Sequence, residues 1–287
     1  MTRALLQISD PHFGTEQAPV VEALVRLHRQ LKPEVVLLSG DITQRARRRQ
    51  FEAARRFVER LAGSHVLAIP GNHDIPLFNL ALRLFAPYAN HRRAFGDELE
   101  PSLDLPGLLL LGVNTTRPWR HADGEVSREQ VERVARRLRG ATQAQVRVVA
   151  VHHPVAVTRE SDVTNLLHGR GHALQRWAEA GCDLVVGGHI HLPYIVALHE
   201  HKASLPRRIW AVQAGTALSS RVRPDAGNSV NVLRYGEASN LRNCSVERWD
   251  YEARAERFSL AQTFHLPLDH EVPAALHAQP ARKRAGA

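Results

Sequence analysis

Five short polar signatures recur along this 287-residue chain, each set directly behind an apolar run. They are Asp10-Pro11-His12, Gly40-Asp41, Gly71-Asn72-His73-Asp74, His152-His153-Pro154 and Gly188-His189-Ile190-His191. The runs ahead of them, at 4–8, 35–38, 66–69, 146–151 and 184–186, have the length and composition of buried strands. Buried strands that end in carboxylate, amide and imidazole groups gather those groups along one edge of a sheet. The pattern therefore predicts an α/β fold with a ligand-bearing rim.

That rim would carry oxygen donors from Asp10, Asp41 and Asn72, and nitrogen donors from His12, His152, His189 and His191. Thiolate is absent from the set, which argues against a structural zinc site of the cysteine type. Mixed carboxylate and imidazole donors suit manganese, iron or zinc, and relative affinity does not choose among them. Seven donors exceed the needs of one tetrahedral ion and suit two, particularly if one carboxylate bridges. Two divalent ions roughly 3.5–4 Å apart can hold both the attacking and the leaving oxygen of a displacement at phosphorus. Asp10 and His12 are two apart, as are His189 and His191, and in extended backbone such pairs share a face. Gly40, Gly71 and Gly188 precede ligand positions, where a missing Cβ allows unusual dihedrals and close backbone approach. Each motif alone is a common turn or cap; the inference rests on the ordered set of five.

The order Asp-x-His, Gly-Asp, Gly-Asn-His-Asp, His and Gly-His-x-His resembles the calcineurin-like metallophosphoesterase superfamily. The Gly-Asn-His-Asp form, with Ala214-Gly215-Thr216-Ala217 and Asn228-Ser229-Val230-Asn231, resembles its bacterial class III cyclic-nucleotide phosphodiesterase branch. The resemblance spans roughly residues 3–265. It implies a four-layer α-β-β-α sandwich of two mixed sheets. It also implies that Asp10, His12 and His191 hold one metal, that Asn72, His152 and His189 hold the other, and that Asp41 bridges both. A metal-bridging hydroxide would be the nucleophile. His73 would contact the phosphoryl oxygen or protonate the leaving alkoxide, and Asp74 would either fix the His73 tautomer or serve as a local turn residue. His152 and His153 are adjacent and cannot both face one way on a strand. The family's ligand, two residues before the proline, favours His152.

The net charge of +9 is carried almost wholly by arginine, with Lys32, Lys202 and Lys283 the only lysines. A cationic surface attracts phosphate-bearing substrates or nucleic acid. The run Arg45-Ala46-Arg47-Arg48-Arg49, however, leads into helical periodicity and reads as a solvated face. No apolar run approaches the ~20 residues of a membrane span, and the first motif starts too early for a removable leader, so a cytoplasmic location is expected. Two cysteines, Cys182 and Cys244, lack metal-type spacing and predict no disulfide framework.

Helices are predicted over 20–30, 47–61, 127–138 and 174–180, with a capping box at Ser127 and Gln130. Consecutive strands are predicted over 194–199, 208–213, 230–234 and 245–251. Residues 1–268 are expected to form a single domain, with 75–125 shaping the substrate pocket and 269–287 a basic, poorly ordered tail. Within the pocket region a helix over 77–85 would either offer Arg83, with Arg92 or Arg93 beyond it, to a phosphate or be an ordinary amphipathic surface helix. Trp119, between Arg117 and Arg120, reads first as a packing residue and second as a base-stacking one.

The function expected is metal-dependent hydrolysis of a phosphodiester, with a small nucleotide, and 3′,5′-cyclic AMP in particular, as the substrate. A UDP-linked diacylglucosamine pyrophosphatase is the first alternative, although those enzymes typically carry Arg where this chain has His73. A repair-type nuclease would need a continuous basic groove, and no stable nucleic-acid complex is expected. A scaffold that has lost its metals would show broken motifs, and none is broken here. A homodimer is left open.

Overall fold

The computed structural model describes residues 3–238 and 241–270. The chain opens with alternating strands and helices: β1 (Arg3–Ile8), α1 (Ala18–Leu31), β2 (Val35–Ser39), α2 (Arg48–Glu59) and β3 (His65–Ile69). Two short helices, α3 (Leu80–Phe85) and α4 (Ala89–Phe95), and the strand β4 (Ser102–Leu105) follow. Alternation resumes with β5 (Leu108–Gly112), α5 (Arg128–Arg139), β6 (Val146–Ala150), α6 (Arg170–Glu179) and β7 (Leu184–Gly187). The remainder is mostly strand: β8 (Tyr194–Ala197), α7 (Leu198–His201), β9 (Trp210–Gln213), β10 (Ser229–Ala238), β11 (Leu241–Glu252) and β12 (Arg257–Leu266).

These strands make two six-stranded sheets, ordered β12-β11-β10-β1-β2-β3 and β4-β5-β6-β7-β9-β8. Both are mixed. β1, β2 and β3 run parallel while β10 joins β1 antiparallel; β5, β6, β7 and β9 run parallel between antiparallel β4 and β8. Strand alternation builds the layers. Leu5, Val35 and Leu37 point between the sheets, where they meet Leu110, Val148 and Val186. Their neighbours Leu6, Val36 and Leu38 face the opposite way, onto Leu24 of α1 and Phe57 of α2. Leu111, Val149 and Val185 likewise face Val134 of α5 and Trp177 of α6. Helices thus cover both outer faces of two stacked sheets, a four-layer α-β-β-α sandwich.

The capping box at α5 forms as expected, with Gln130 N–H donating to Ser127 Oγ at 3.2 Å and Ser127 N–H to Gln130 Oε1 at 2.9 Å. The helix expected over 77–85 is shorter, because Asn79 accepts from Leu82 N–H at 2.9 Å and starts it at Leu80. β4 and β12 escaped prediction; β4 is four residues long, and β12 leaves Leu260 half exposed, so neither shows clean alternation. Cys182 and Cys244 are buried and free. No described helix is long and apolar enough to cross a membrane. Of the tail, 271–287 lie outside the described residues. Asp269 is held: its carboxylate accepts from Arg208 N–H at 2.7 Å and its carbonyl from Arg207 at 3.1 Å.

Candidate metal centre

Every signature residue leaves the C-terminal end of a parallel strand: Asp10 after β1, Asp41 after β2, Asn72 after β3, His152 after β6, and His189 and His191 after β7. Both sheets therefore deliver ligands to one edge. Asp10, His12 and His191 form one cluster of candidate ligand atoms, and Asp10, Asp41 and His152 an overlapping one.

The backbone reason differs from the expected one. Asp10, His12, Asp41, His189 and His191 all have positive φ, between 44° and 76°, so the pairs converge through left-handed turns and not through strand alternation. Asp and His tolerate this region better than most residues, yet each such turn costs about 1–2 kcal/mol, and such costs concentrate at functional sites. Gly40 has φ +93°, and a Cβ there would run into the His152 ring. A Cβ on Gly188 would collide with the Ser9 hydroxyl and the Asp10 carboxylate.

Hydrogen bonds aim the donors. His152 Nδ1 donates to Ser39 O at 2.9 Å, which leaves Nε2 facing Asn72 Oδ1 and Asp41 Oδ1, both at 3.3 Å. His191 Nδ1 donates to Arg221 O at 2.6 Å, leaving Nε2 at 3.3 Å from Asp10 Oδ1 and 3.0 Å from His12 Nε2. Asp10 Oδ2 accepts from Ser9 Oγ at 2.6 Å and His189 N–H at 3.0 Å. Asp10 Oδ1 and His189 Nδ1 are buried with no hydrogen-bond partner among the described residues. Unpaired buried acceptors, and two ring nitrogens facing each other, are what a donor set for cations presents. The residues present fit divalent metal ions.

Electrostatics agree. Burial, opposed by Asp41 and Asp10, pushes the His12 imidazole down to about 3, and burial with His152 nearby takes His189 down to about 4, so both keep free lone pairs. Burial disfavours charge on Asp10, but the neighbouring His191 outweighs it and holds the carboxyl at about 2. At His152 burial is likewise overcome, by Asp41, and the imidazole rises to about 9. The negative potential that draws a proton to His152 would equally draw a cation.

His153 falls with His152 and His189 in a third group of candidate ligand atoms, but its ring is otherwise engaged. Its Nδ1 bonds Thr115 Oγ1 at 2.8 Å and its Nε2 bonds Ala122 O at 2.9 Å, so both nitrogens are taken although its ring packs 4.6 Å from that of His189. Of the two roles expected of Asp74, its hydrogen bonds are those of a turn residue and not of a partner to the His73 ring: it accepts from the backbone N–H of Gly71, Ile42 and Thr43 and from Thr43 Oγ1, at 2.8–3.0 Å. It ties the loop after β2 to the loop after β3. The His73 tautomer is set instead by Gln44, whose carbonyl accepts from Nδ1 at 2.8 Å, while His73 N–H donates to Asp41 Oδ1 at 2.8 Å.

Arg221 was missed by sequence reasoning. Its guanidinium donates to His73 Nε2 and Gln44 Oε1, both at 3.2 Å, and it stands 30 residues beyond His191, the last of the five polar signatures. The downstream resemblance motifs build its loop. Thr216 Oγ1 donates to Asp10 O at 2.6 Å, and Asn228 Nδ2 donates to Ser219 O at 2.8 Å. Beside His73 lies a small cleft lined by Gln44, Arg45, Asn72, Leu77, Arg83 and His121. Arg83 lines this cleft and donates from Nη1 to Pro76 O at 3.1 Å and from Nη2 to Arg120 O at 2.7 Å, which leaves three of its five N–H groups without these partners. Arg117 and Arg120 are bound to Gln130 and Glu125. Trp119 between them is 74% exposed, so the packing role expected of it fails.

The sequence profile of the calcineurin-like phosphoesterases matches residues 4–193. A probable cyclic nucleotide phosphodiesterase of Synechococcus sp. is 26% identical over 207 residues, covering 68% of this chain and 76% of that protein. Among solved structures, a dimetal phosphatase from Danio rerio superposes with a TM-score of 0.62 at 11% identity, covering 93% of this chain and 99% of the other. The purple acid phosphatase of yellow lupin (Lupinus luteus) seeds gives a TM-score of 0.69 at 13% identity; 92% of this chain matches 53% of that longer one. At such identities the structural likeness speaks to the fold, while the sequence profile covers most of the chain: it belongs to the calcineurin-like phosphoesterases.

Proposed function

We propose that this chain is a dinuclear metal-dependent phosphodiesterase acting on a small nucleotide. The observation that carries the dinuclear reading is the Asp41 carboxylate, whose Oδ1 lies 3.3 Å from His152 Nε2 and whose Oδ2 lies 3.8 Å from His12 Nε2. One carboxylate thus faces two separate donor groups: Asp10, His12 and His191 on one side, Asn72, His152 and His189 on the other. Bound there, two divalent ions supply Lewis acidity and bring water to nucleophilic strength near neutral pH.

The remaining chemistry belongs to side chains at the rim. With the His73 Nδ1 proton committed to Gln44 O, Nε2 is an acceptor facing Arg221. Arg221 is therefore the donor ready to meet a phosphoryl oxygen, and its planar fork can bond two oxygens at once. His73 passes a proton to the leaving alkoxide only after taking one at Nε2. Residues 1–268 act as one catalytic domain on this reading, with 75–125 forming the wall of the cleft that selects the leaving group.

The nucleotide is supported by the name of the Synechococcus relative and by the exposed Trp119 ring, a flat surface on which a base can stack. A second reading, an amphiphilic substrate such as a UDP-linked diacylglucosamine, is favoured by the exposure of Phe78, Leu80, Leu84 and Phe85, at 73–83%. A hydrolysis panel on manganese-loaded protein separates them: 3′,5′-cyclic AMP, 2′,3′-cyclic AMP, bis-p-nitrophenyl phosphate, p-nitrophenyl phosphate and the UDP-linked lipid. The proposal expects a cyclic nucleotide to lead, with kcat/KM of at least about 10⁴ M⁻¹s⁻¹. Preference for the lipid would replace the nucleotide reading, and turnover of the monoester alone would end the phosphodiesterase one.

A further inference from the structure

The turn that carries His189 and His191 is strained, so its surroundings must hold it. His189 has φ 76°, and Ile190 N–H donates back to Gly188 O at 2.9 Å, a three-residue turn of the rare left-handed kind. His191 follows at φ 55°. Backbone of this sort persists only where neighbouring groups over-determine it. Gly188 O also accepts from Gln213 Nε2, and His189 N–H is taken by Asp10 Oδ2 at 3.0 Å. Between the two histidines stands the Ile190 carbonyl.

Arg223 takes that carbonyl. Its Nη1 donates to Ile190 O at 3.0 Å and to Asp162 Oδ1 and Oδ2 at 3.1 and 3.2 Å. Asp162 belongs to the short helical turn Glu160–Asn165, after β6, and is buried. The carboxylate fixes the cation, and the cation gives the metal-centre turn a charge-assisted hydrogen bond, stronger than a neutral one. Arg223 also lies on the segment 219–226, which crosses the centre. Two residues earlier, Arg221 O accepts from His191 Nδ1 at 2.6 Å. Arg223 therefore acts on His191 from two sides, through the preceding carbonyl and through the segment that orients its ring. His189 has other supports. Its N–H is bound to Asp10, and its ring packs 5.2 Å from that of His152 and 4.6 Å from that of His153.

We propose that Arg223, held by Asp162, is a positioning residue for His191. It sets the affinity of the metal position that His191 shares with Asp10 and His12, and leaves the position of Asn72, His152 and His189 unchanged. The inference rests on the dinuclear reading and makes the two positions unequal in what they require of the rest of the chain. Arg223 donates to none of the expected ligand side chains; it acts through Ile190 and through the segment 219–226.

The test is calorimetric titration of metal-free, full-length protein with manganese, alongside thermal unfolding in chelator. The wild type should take two ions. In Arg223→Ala one equivalent should weaken at least about tenfold while the other keeps its Kd. Because one nitrogen, and not the planar fork, makes all three contacts, Arg223→Lys should recover most of the loss. Asp162→Asn should weaken the same equivalent, and combining it with Arg223→Ala should add little. Arg159→Ala, which removes an exposed ion pair with Asp225 on the same segment, should leave both equivalents unchanged. Two equivalents weakened alike in Arg223→Ala would overturn the proposal, as would a lower Tm with both affinities intact. If Arg223→Ala does not fold, Asp162→Asn decides, and wild-type affinity at both equivalents would overturn it. A wild type that takes one ion would refute the dinuclear reading instead. The positioning role is then read on that ion, and an affinity unchanged in Arg223→Ala would refute it as well.

Discussion

His91 on α4 is fully buried, packed against the rings of Phe51 and Phe95 at centroid distances of 6.0 and 5.3 Å, and neither ring nitrogen has a partner among the described residues. Burial, with Arg92 next to it, takes this imidazole from an ordinary 6.5 down to about 4. As pH falls below 6.5 the unfolded chain takes up a proton that the folded chain refuses until about 4, so stability is lost across that window. Linkage puts the loss at about 2 kcal/mol by pH 5 and about 3 kcal/mol below pH 4. Substituting His91→Leu removes the titration while keeping an apolar side chain between α2 and α4. Thermal unfolding of both proteins at pH 8 and pH 5 reads the effect, and the difference cancels every other titrating group. The wild type should lose about 4–8 °C more than the variant on acidification. Equal losses would show that His91 accepts its proton in the folded state, and the burial argument would fail.

Four further outcomes follow from the site. Gly40→Ala forces a Cβ into the His152 ring at a positive φ; it should weaken metal binding at least about tenfold, read by metal titration. Arg221→Gln removes a charged donor from the rim and should raise KM for a diester about tenfold with little change in kcat, a split that steady-state kinetics resolve. Asp74→Asn loses acceptor strength toward four donors and should cost about 1–3 kcal/mol in denaturant unfolding without abolishing turnover. Chelation should lower Tm, and restoring metal at 100 times its Kd should return about 2.7 kcal/mol.

Much of the centre was readable because strand ends and donor chemistry are local properties. The runs before Asp10, Asp41, Asn72, His152 and His189 announce β1, β2, β3, β6 and β7, and the donor types announce cations. The convergence of Asp10 with His12 was expected from an extended backbone, whereas their φ values of 50° and 44° show turns that no periodicity encodes. Partners supplied by carbonyls were equally hidden. Gln44 O orients His73 and Arg221 O orients His191, and a carbonyl has no side-chain signature. The region 75–125 was the least legible, since it is shaped by caps and arginine–carbonyl contacts such as Arg83 on Arg120 O. Charge counting on the surface likewise gave no hint that Arg207 and Arg242 are buried against Asp183.

The proposed dinuclear phosphodiesterase activity is tested most directly by titrating metal-free protein with manganese while following hydrolysis of bis-p-nitrophenyl phosphate. Activity should stay low through the first equivalent and reach its plateau at two per chain. A plateau at one equivalent would contradict the bridging role of Asp41, and no turnover at any loading would contradict the phosphodiesterase itself.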